Sequence, residues 1–431
     1  MSDIQYLIYA LPLGCMFVWY LHWRLQRTKN AIAQLEDAKA SGLTEPSSLH
    51  PAFEFPKCIG SGACANACHE QAIGLVGGKP YLINPANCIG HGLCMPACPV
   101  EAVKLVFGTA KRGMEIPHLS PTFETNIPGL FIAGELGGMG LVHKSVEQGR
   151  QAVKSIVKRG AASSGMLDVV IVGAGPAGFS ASLNAKMEKL NFITLEQEES
   201  LGGAIYHYPR NKITMTSAME LPIAGRVKLG EVHKEKLLEF WQDIATRADL
   251  KFNFHERMES IEPTSGGFFV KTTQSEYLAK SVLLAIGRRG TPRTLEVRGE
   301  HSAKVVYRLV DSHQYGGMDV LVVGGGDSAI EAALACAGEP GTTVTLSYRG
   351  AAFNRIKPGN RERLAAAEAN KRVRVIMQSD VMEITPDTVI IKRKANLITL
   401  PNKAVIVCAG GILPTGLLKK LGVEVETHYG E

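Results

Sequence analysis

The sequence predicts an α/β fold that follows a small α+β module and an N-terminal apolar helix. Two apolar strands, each running into a glycine loop and then a helical stretch, predict the α/β part. Two short cysteine runs with one spacing predict the small module, and the uncharged segment Ile4–Trp23 predicts the helix. The length of 431 residues allows two or three domains, and the nine cysteines indicate metal ligands in a reducing compartment rather than disulfides.

The cysteine runs repeat at an interval of thirty residues. They read Cys58-x5-Cys64-x3-Cys68 and Cys88-x5-Cys94-x3-Cys98-Pro99. The bacterial ferredoxin run is C-x2-C-x2-C-x3-C-P, so each run lacks only its second cysteine. Ser61 fills the first gap and His91 fills the second. Residues 50–110 therefore resemble a two-cluster ferredoxin domain.

This resemblance implies two iron–sulfur clusters with interleaved ligands, because the fourth cysteine of such a run ligates the other cluster. One cluster would use Cys58, Cys64 and Cys98, with Ser61 available, and the other would use Cys88, Cys94 and Cys68, with His91 available. A missing cysteine can leave a [3Fe-4S] cluster. Alternatively, Ser61 or His91 ligates the fourth iron of a [4Fe-4S] cluster. A neutral histidine there should raise the reduction potential, since it adds less negative charge than a thiolate.

The first glycine loop lies in the context that dinucleotide binding requires. The strand Asp168–Val172 runs into Gly173-Ala174-Gly175-Pro176-Ala177-Gly178 and then a helix. Glycines let the backbone approach a pyrophosphate, which the helix N-terminus stabilises. Glu196 ends the next strand, where an acid can bond a ribose hydroxyl, and a Gly-Gly pair follows. The unit predicts a Rossmann-like dinucleotide-binding domain whose cofactor contacts are Gly173, Gly175, Gly178, Glu196 and Gly203.

A second loop follows the strand Val320–Val323 and reads Gly324-Gly325-Gly326-Asp327-Ser328-Ala329. The next strand ends in Tyr348-Arg349 rather than in an acidic residue. Arg349 and Arg355 could hold a 2′-phosphate, which favours NADPH over NADH. We therefore expect a second Rossmann-like domain that binds NADPH, with NADH as the alternative. Its predicted contacts are Gly324, Gly326, Asp327, Ser328, Arg349 and Arg355.

Residues 112–431 resemble the thioredoxin-reductase family of FAD- and NADPH-dependent flavoproteins. The resemblance rests on the Gly-Gly pair after Glu196, on the Gly-Gly-Gly-Asp-Ser-Ala loop and on the crossover segment Leu284–Gly290. The family's redox-active Cys-x-x-Cys pair is missing, since the corresponding stretch Val306–His313 contains no cysteine. The chain is therefore more similar to dithiol-free relatives, such as ferredoxin–NADP reductases of the thioredoxin-reductase type.

A further part of the resemblance is displaced along the chain. In that family a closing segment like Thr-Asn-x-Pro-Gly-Ile-Phe-Ala-Ala-Gly-Asp follows the NADPH domain. Here the matching segment, Thr125–Glu135, precedes the first glycine loop, and a helix is predicted from Leu141 to Lys158. We interpret this order as a circular permutation in which Gly134 and Glu135 contact the flavin. An unrelated linker domain is the alternative.

These patterns divide the chain into five parts. They are a membrane anchor (1–23), a stalk and linker (24–49), the ferredoxin-like domain (50–110), the FAD domain (111–292, with 111–158 as the permuted segment, completed by 412–431) and the NAD(P)H domain (293–411). The segment Ile4–Trp23 is long enough to span a bilayer, with a buried soluble helix as the alternative. Arg24, Arg27 and Lys29 follow it, which predicts a single-pass protein of the cytoplasmic membrane with its soluble domains in the cytoplasm.

The predicted function joins these parts. A flavin converts between the two electrons of a hydride and the single electrons of a cluster. We expect a membrane-anchored NAD(P)H-dependent oxidoreductase that exchanges electrons with a redox partner: a cytochrome, a ferredoxin or a membrane complex. A non-catalytic electron-transfer subunit and a cluster-based redox sensor are the alternatives, and a homodimer is allowed. The net charge of +6 is dispersed, with no basic block interleaved with aromatics, so nucleic acid is not indicated.

Overall fold

The computed structural model describes residues 2–46, 49–288, 290–353 and 356–430, with the backbone alone for residues 2–10, 215 and 216. The chain divides into two compact units. The first, called the cysteine unit, contains the residues up to 112 together with 352–361 and the last three residues. The second, called the nucleotide unit, contains residues 113–351 and 362–428.

The cysteine unit is a long helix followed by small antiparallel pairs of strands. Strand β1 pairs with β4, and β2 pairs with β3 across the turn at Gly77 and Gly78. Its small core contains Cys64, Ile73, Cys94 and Val103, so cysteines are part of the packing. Its elements are α1 (Ser2–Ala40), β1 (His50–Phe53), α2 (Ala63–Asn66), β2 (Ile73–Val76), β3 (Lys79–Leu82) and β4 (Val103–Val106).

Helix α1 joins the predicted anchor and the predicted stalk in one continuous helix that includes Pro12. Its large apolar side chains from Leu11 to Leu25 are exposed, whereas Ala31 and Ala38 are buried. No helix is long and apolar enough to cross a membrane among the residues whose side chains are described. The predicted span is therefore not supported by the described part of the chain. Residues 4–10 of that span lie outside the described side chains.

The first half of the nucleotide unit is built around a six-stranded sheet with the order β13-β14-β15-β7-β8, in which β6 also pairs with β15. The strands beside the first glycine loop are parallel and buried on both faces, as their nearly continuous apolar sequences predict. The elements are β5 (Met114–Pro117), β6 (Leu130–Ile132), α3 (Val142–Val157), β7 (Leu167–Val172), α4 (Pro176–Met187), β8 (Phe192–Leu195), β9 (Ile213–Thr216), β10 (Met219–Leu221), β11 (Gly225–Val227), β12 (Gly230–His233), α5 (Lys234–Arg247), β13 (Met258–Thr264), β14 (Gly267–Thr272) and β15 (Glu276–Leu284).

The second half contains a five-stranded parallel sheet with the order β17-β24-β18-β19-β20 and a three-stranded antiparallel sheet, β21-β22-β23. Two short strands, β16 and β25, pair where the chain enters and leaves this half. The elements are β16 (Thr291–Pro292), β17 (Val305–Val306), β18 (Asp319–Val323), α6 (Asp327–Cys336), β19 (Thr343–Tyr348), α7 (Pro358–Ala369), β20 (Val373–Met377), β21 (Ser379–Ile384), β22 (Thr388–Arg393), β23 (Asn396–Pro401), β24 (Ala404–Val407), β25 (Gly411–Ile412), α8 (Thr415–Lys420) and β26 (Val425–His428).

The first and last segments of the nucleotide unit pack into the domain of the six-stranded sheet. Strand β6 lies parallel to β15, with Leu130 opposite Val282, and α3 packs against α4. From the other end of the chain, β26 pairs with β5, and Leu418 and Val423 join the same hydrophobic core as Leu130. Residues 113–157 and 415–428 thus complete the domain that holds the first glycine loop.

Candidate functional site

The first glycine loop connects β7 to α4, and its middle glycine is the one of the three at which a Cβ would not collide with other atoms. Gly173 has φ 103°, and a Cβ there would lie 2.6 Å from the carbonyl oxygen of Ala285. A Cβ at Gly178 would collide with the carbonyl oxygen of Gly173. At Gly175, the N-cap of α4, a Cβ would find only the Cα of Gly203, 3.7 Å away. The outer glycines are therefore required by the protein's own backbone, and the middle one leaves the gap that a pyrophosphate needs.

Glu196 lies against this loop and is buried at the end of β8. Its Oε2 accepts a hydrogen bond from the backbone N–H of Ala174 at 2.7 Å, and its Oε1 accepts one from the N–H of Glu198 at 3.1 Å. Burial raises the pKa of this carboxyl group, and the backbone donors oppose that shift. The carboxylate thus fixes the shape of the glycine loop, and its predicted bond to a ribose stays a prediction.

Gly134 and Glu135 lie beside the same loop. Gly134 has φ 86°, and its N–H donates a hydrogen bond to Oε1 of Gln148 at 2.7 Å. A Cβ at Gly134 would lie 3.1 Å from the Cβ of Ala177 in the first turn of α4. The side chain of Glu135 folds toward Gly140, just before α3 begins. The structure therefore brings these two predicted contacts next to the first glycine loop.

Arg288 also lies in this region, and no sequence motif marks it as a site residue. It follows β15 and donates from Nη2 to the backbone oxygen of Glu115 at 2.9 Å. Burial lowers the pKa of Arg288, and the nearby carboxylates of Glu135 and Glu115 oppose that shift. The sequence showed only that this arginine stands in the crossover segment, because its burial arises from elements distant along the chain.

The second glycine loop connects β18 to α6. A Cβ at Gly324, which has φ 147°, would collide with the carbonyl oxygen of Cys408, whereas a Cβ at Gly326 would meet nothing within 4 Å. Asp327 is the first residue of α6, and Ser328 beside it is exposed. The helix N-terminus is thus accessible to an anionic group, as nucleotide binding requires.

Arg349 is exposed immediately after the last residue of β19. Its neighbour Tyr348 lies against the loop, because a Cβ at Gly325 or at Gly350 would collide with the tyrosine ring. The sequence places Tyr348 in the usual position of the acid, but it does not show that the ring packs on the glycine loop. Arg355 lies outside the described residues.

The first predicted group of cluster ligands surrounds one cavity. Cys58, Ser61, Cys64 and Cys98 line it together with Val100. Burial raises the pKa of the Cys64 thiol, and the charges of Cys58 and Cys98 raise it further. These are the members that the interleaved ferredoxin pattern assigns to one cluster.

The second predicted group also comes together. Burial raises the pKa of Cys94 to about 11, and the charges of Cys88 and Cys68 contribute to that shift. His91 follows Cys88 closely along the chain, and its Nδ1 lies 4.0 Å from Oε1 of Glu70. Each group therefore contains one cysteine of the other run, and which of these residues bind iron stays a prediction.

Backbone amides face the sulfur atoms at equivalent places in the two runs. The N–H of Ala72 donates to Sγ of Cys68 at 3.3 Å, and the N–H of Ala102 donates to Sγ of Cys98 at 3.2 Å. Such hydrogen bonds stabilise a thiolate and help to set a cluster's reduction potential.

The donor set fits iron–sulfur clusters, because thiolates that accept backbone N–H hydrogen bonds are the usual ligands of such clusters. Each group supplies three cysteines, Cys68 and Cys98 accept N–H···S hydrogen bonds, and the first group lines a cavity.

Comparisons with known proteins identify one family in the segment of the cysteine runs and another in the segment of the glycine loops. Residues 57–102 match the family described as 4Fe-4S dicluster domain. Residues 170–429 match the family described as pyridine nucleotide-disulphide oxidoreductase.

Individual relatives of the oxidoreductase type also match the chain. The chain is 28% identical over 267 residues to the bacilliredoxin reductase Bdr of Bacillus subtilis (strain 168), which covers 61% of this chain and 82% of that protein. It is 32% identical over 177 residues to the ferredoxin–NADP reductase of Streptococcus sanguinis (strain SK36), over 40% of this chain and about half of the relative. The structure of bacillithiol disulfide reductase from Staphylococcus aureus matches with a TM-score of 0.53 at 26% identity, covering 59% of this chain and 80% of that one.

The two family matches and the geometry of the loops agree on the cofactors, which are FAD, NADPH and iron–sulfur clusters. The second match spans more than half of the sequence. The chain belongs to the pyridine nucleotide-disulphide oxidoreductase family and is a flavin-dependent NAD(P)H oxidoreductase that carries a 4Fe-4S domain.

Proposed function

We propose that this protein exchanges electrons between NAD(P)H and a redox partner protein through FAD and two iron–sulfur clusters. One observation carries the proposal: a single chain holds two dinucleotide loops and two groups of three cysteines. A bound flavin supplies the conversion between hydride transfer and the single-electron steps that clusters require.

The residues of the chain have separate tasks in this function. The gap at Gly175 and the N-terminus of α4 accept the pyrophosphate of FAD, while Glu196 keeps the loop in shape. The N-terminus of α6 and Arg349 receive the phosphates of NADPH. The cysteines hold the clusters.

The two cysteines of the NAD(P)H-binding half, Cys336 and Cys408, argue against a thiol outlet for the electrons. Burial raises the pKa of Cys336 and of Cys408 to about 12, so both stay protonated near neutral pH, where the thiolate is the reactive form. The segment Val306–His313, where related proteins carry a dithiol, has none. Reduction of a disulfide substrate by a dithiol therefore has no site in this region, which favours the clusters as the outlet.

The position of Thr125–Glu135 supports the proposal of a circular permutation. This segment supplies β6 and the turn before α3, both of which contact the elements around the first glycine loop. In the family that the chain resembles, this place is occupied by a closing segment that follows the NADPH domain along the chain.

Attachment to the cytoplasmic membrane, with the other domains in the cytoplasm, stays a prediction from the sequence. The exposed apolar side chains from Leu11 to Trp23 favour it, although the described residues contain no spanning helix. Fractionation of cells that produce the full chain tests it. Recovery with the membranes is expected, and recovery in the soluble fraction contradicts it.

Flavin and metal analysis of the anaerobically purified chain tests the proposed function itself. We expect one FAD per chain, iron and sulfide for two clusters, and rapid NADPH oxidation with an artificial one-electron acceptor. A protein that binds flavin but contains no iron would contradict the electron path. A protein with both cofactors that does not oxidise NADPH would instead be a non-catalytic electron-transfer subunit.

A further inference from the structure

The cysteine unit contains two halves, one around each cysteine run. These halves repeat each other in three dimensions at an interval of thirty residues. The glycines that flank each gap have positive φ: 72° and 75° at Gly60 and Gly62, and 80° and 77° at Gly90 and Gly92. A Cβ at Gly62 would meet Leu75 at 3.1 Å, and a Cβ at Gly92 would meet Leu105 at 3.0 Å. The amide–sulfur contacts described above repeat at the same interval. Equivalent positions in the two halves can therefore be compared directly.

Two equivalent positions differ together. Ser61 in the first half corresponds to His91 in the second, and Val100 in the second half corresponds to Glu70 in the first. Ser61 and Val100 line the same cavity, so the serine faces an apolar neighbour. His91 instead faces Glu70, with 4.0 Å between Nδ1 and Oε1. A carboxylate thus stands opposite the gap residue only where that residue is a histidine.

We propose that Glu70 is a positioning residue that orients His91 so that Nε2 ligates the fourth iron of its cluster. A carboxylate beside Nδ1 favours the tautomer protonated on that atom, which leaves the lone pair on Nε2. Such carboxylate–histidine pairs fix ring orientation at metal sites and raise the basicity of the ligand. The inference rests on the proposed function, since it requires a cluster at this site.

The surroundings suit this task. The side chains of His91 and Glu70 are 27% and 25% exposed, so water screens their attraction only in part. The side-chain amide of Asn87 donates to the backbone oxygen of Glu70 at 3.3 Å, which ties Glu70 to the start of the second cysteine run. The separation of 4.0 Å exceeds a direct hydrogen bond, so the contact in this structure is electrostatic.

Glu70→Val tests the proposal, since it copies the residue of the other half, and Glu70→Gln keeps the volume without the charge. Glu101→Gln is the matched control. It removes a carboxylate that follows Cys98, and it introduces the residue type of the equivalent position in the first half, Gln71. EPR during iron titration measures the conversion between three-iron and four-iron forms. We expect the affinity for the fourth iron of the second cluster to fall about 10- to 100-fold in Glu70→Val, and less in Glu70→Gln. Glu101→Gln should leave it unchanged.

A His91→Cys background separates positioning from a general effect of charge. With a thiolate in the gap, Glu70→Gln should no longer change the affinity for the fourth iron, because there is no imidazole to orient. Equal losses in both backgrounds, or wild-type spectra in both Glu70 variants, would overturn the proposal while the clusters themselves remain. A wild-type chain without iron would contradict the proposed function, and this inference with it.

Discussion

At the scale of single residues, the three glycines of the first loop have different tasks. A Cβ at Gly178 would collide with the carbonyl oxygen of Gly173, so only glycine fits there. A Cβ at Gly175 would instead lie at contact distance from the Cα of Gly203. Gly175 has φ −70°, which any residue adopts, so a side chain there does not strain the backbone.

We therefore predict that Gly175→Val abolishes FAD binding in a protein that still folds, because the new methyl groups occupy the approach of the pyrophosphate. Flavin content and circular dichroism measure the two effects separately. Gly178→Ala, in contrast, should lower the yield of folded protein. Full flavin content in soluble Gly175→Val would show that FAD does not bind at this loop.

The exposed Arg349 leads to a second prediction. Arg349→Ala should weaken the use of NADPH far more than that of NADH, since a charge-assisted bond to a phosphate contributes about 1.5–3 kcal/mol, roughly ten- to a hundredfold in affinity. The ratio of kcat/KM for the two nucleotides measures it. Arg361→Ala is the control, because Arg361 already holds both carboxylate oxygens of Asp37, at 3.0 and 3.1 Å. Equal losses for both nucleotides in Arg349→Ala would remove the basis for an NADP preference.

Residue types and spacing could predict which residues meet but not all of what they do. The groups Cys58–Cys64–Cys98 and Cys88–Cys94–Cys68 follow from the ferredoxin pattern alone. The oxygens of Glu196 accept from the backbone N–H groups of Ala174 and Glu198, which spacing did not show, and its bond to a ribose stays a prediction. Spacing places an acid beside a loop, whereas the donors that it meets depend on the local backbone.

At the scale of elements, the parallel strands and their helices were predictable from the sequence. The predicted strand Asp168–Val172 corresponds to β7, and the helix predicted from Leu141 to Lys158 corresponds to α3. A short apolar run that ends in a glycine turn is typical of a buried parallel strand. The burial of Arg288 and the stacking of Tyr348 on its loop could not be predicted, because distant segments create both.

The crossing of α3 over α4 leads to a third prediction. Gly149 lies at this crossing, where a Cβ would collide with the carbonyl oxygen of Ala177. Gly149→Ala should lower the free energy of unfolding of the flavin domain by about 1–3 kcal/mol, as overpacking does. Urea unfolding followed by flavin fluorescence measures it. Gly359→Ala in α7 is the control, since a Cβ there meets nothing within 4 Å. Equal stability of both variants would show that α3 does not pack tightly on α4.

At the scale of the whole molecule, the order of motifs along the chain predicted a cluster module followed by two dinucleotide domains, and the family matches agree. The membrane span could not be judged from the sequence alone. A mostly apolar helix with Pro12 and several aromatic residues has the composition of a span, yet no helix within the described residues is long and apolar enough to cross a membrane. The partner protein also stays a prediction, because recognition depends on surfaces that no motif describes.

The central claim is that electrons from NADPH reach the clusters of the same chain. An anaerobic titration with NADPH, followed by flavin absorbance and by EPR, tests it most directly. The account predicts that the flavin bleaches and that EPR signals of reduced clusters grow with it, with dithionite setting the maximum signal. Complete bleaching by NADPH with no cluster signal, in a protein whose clusters dithionite reduces, would contradict the claim.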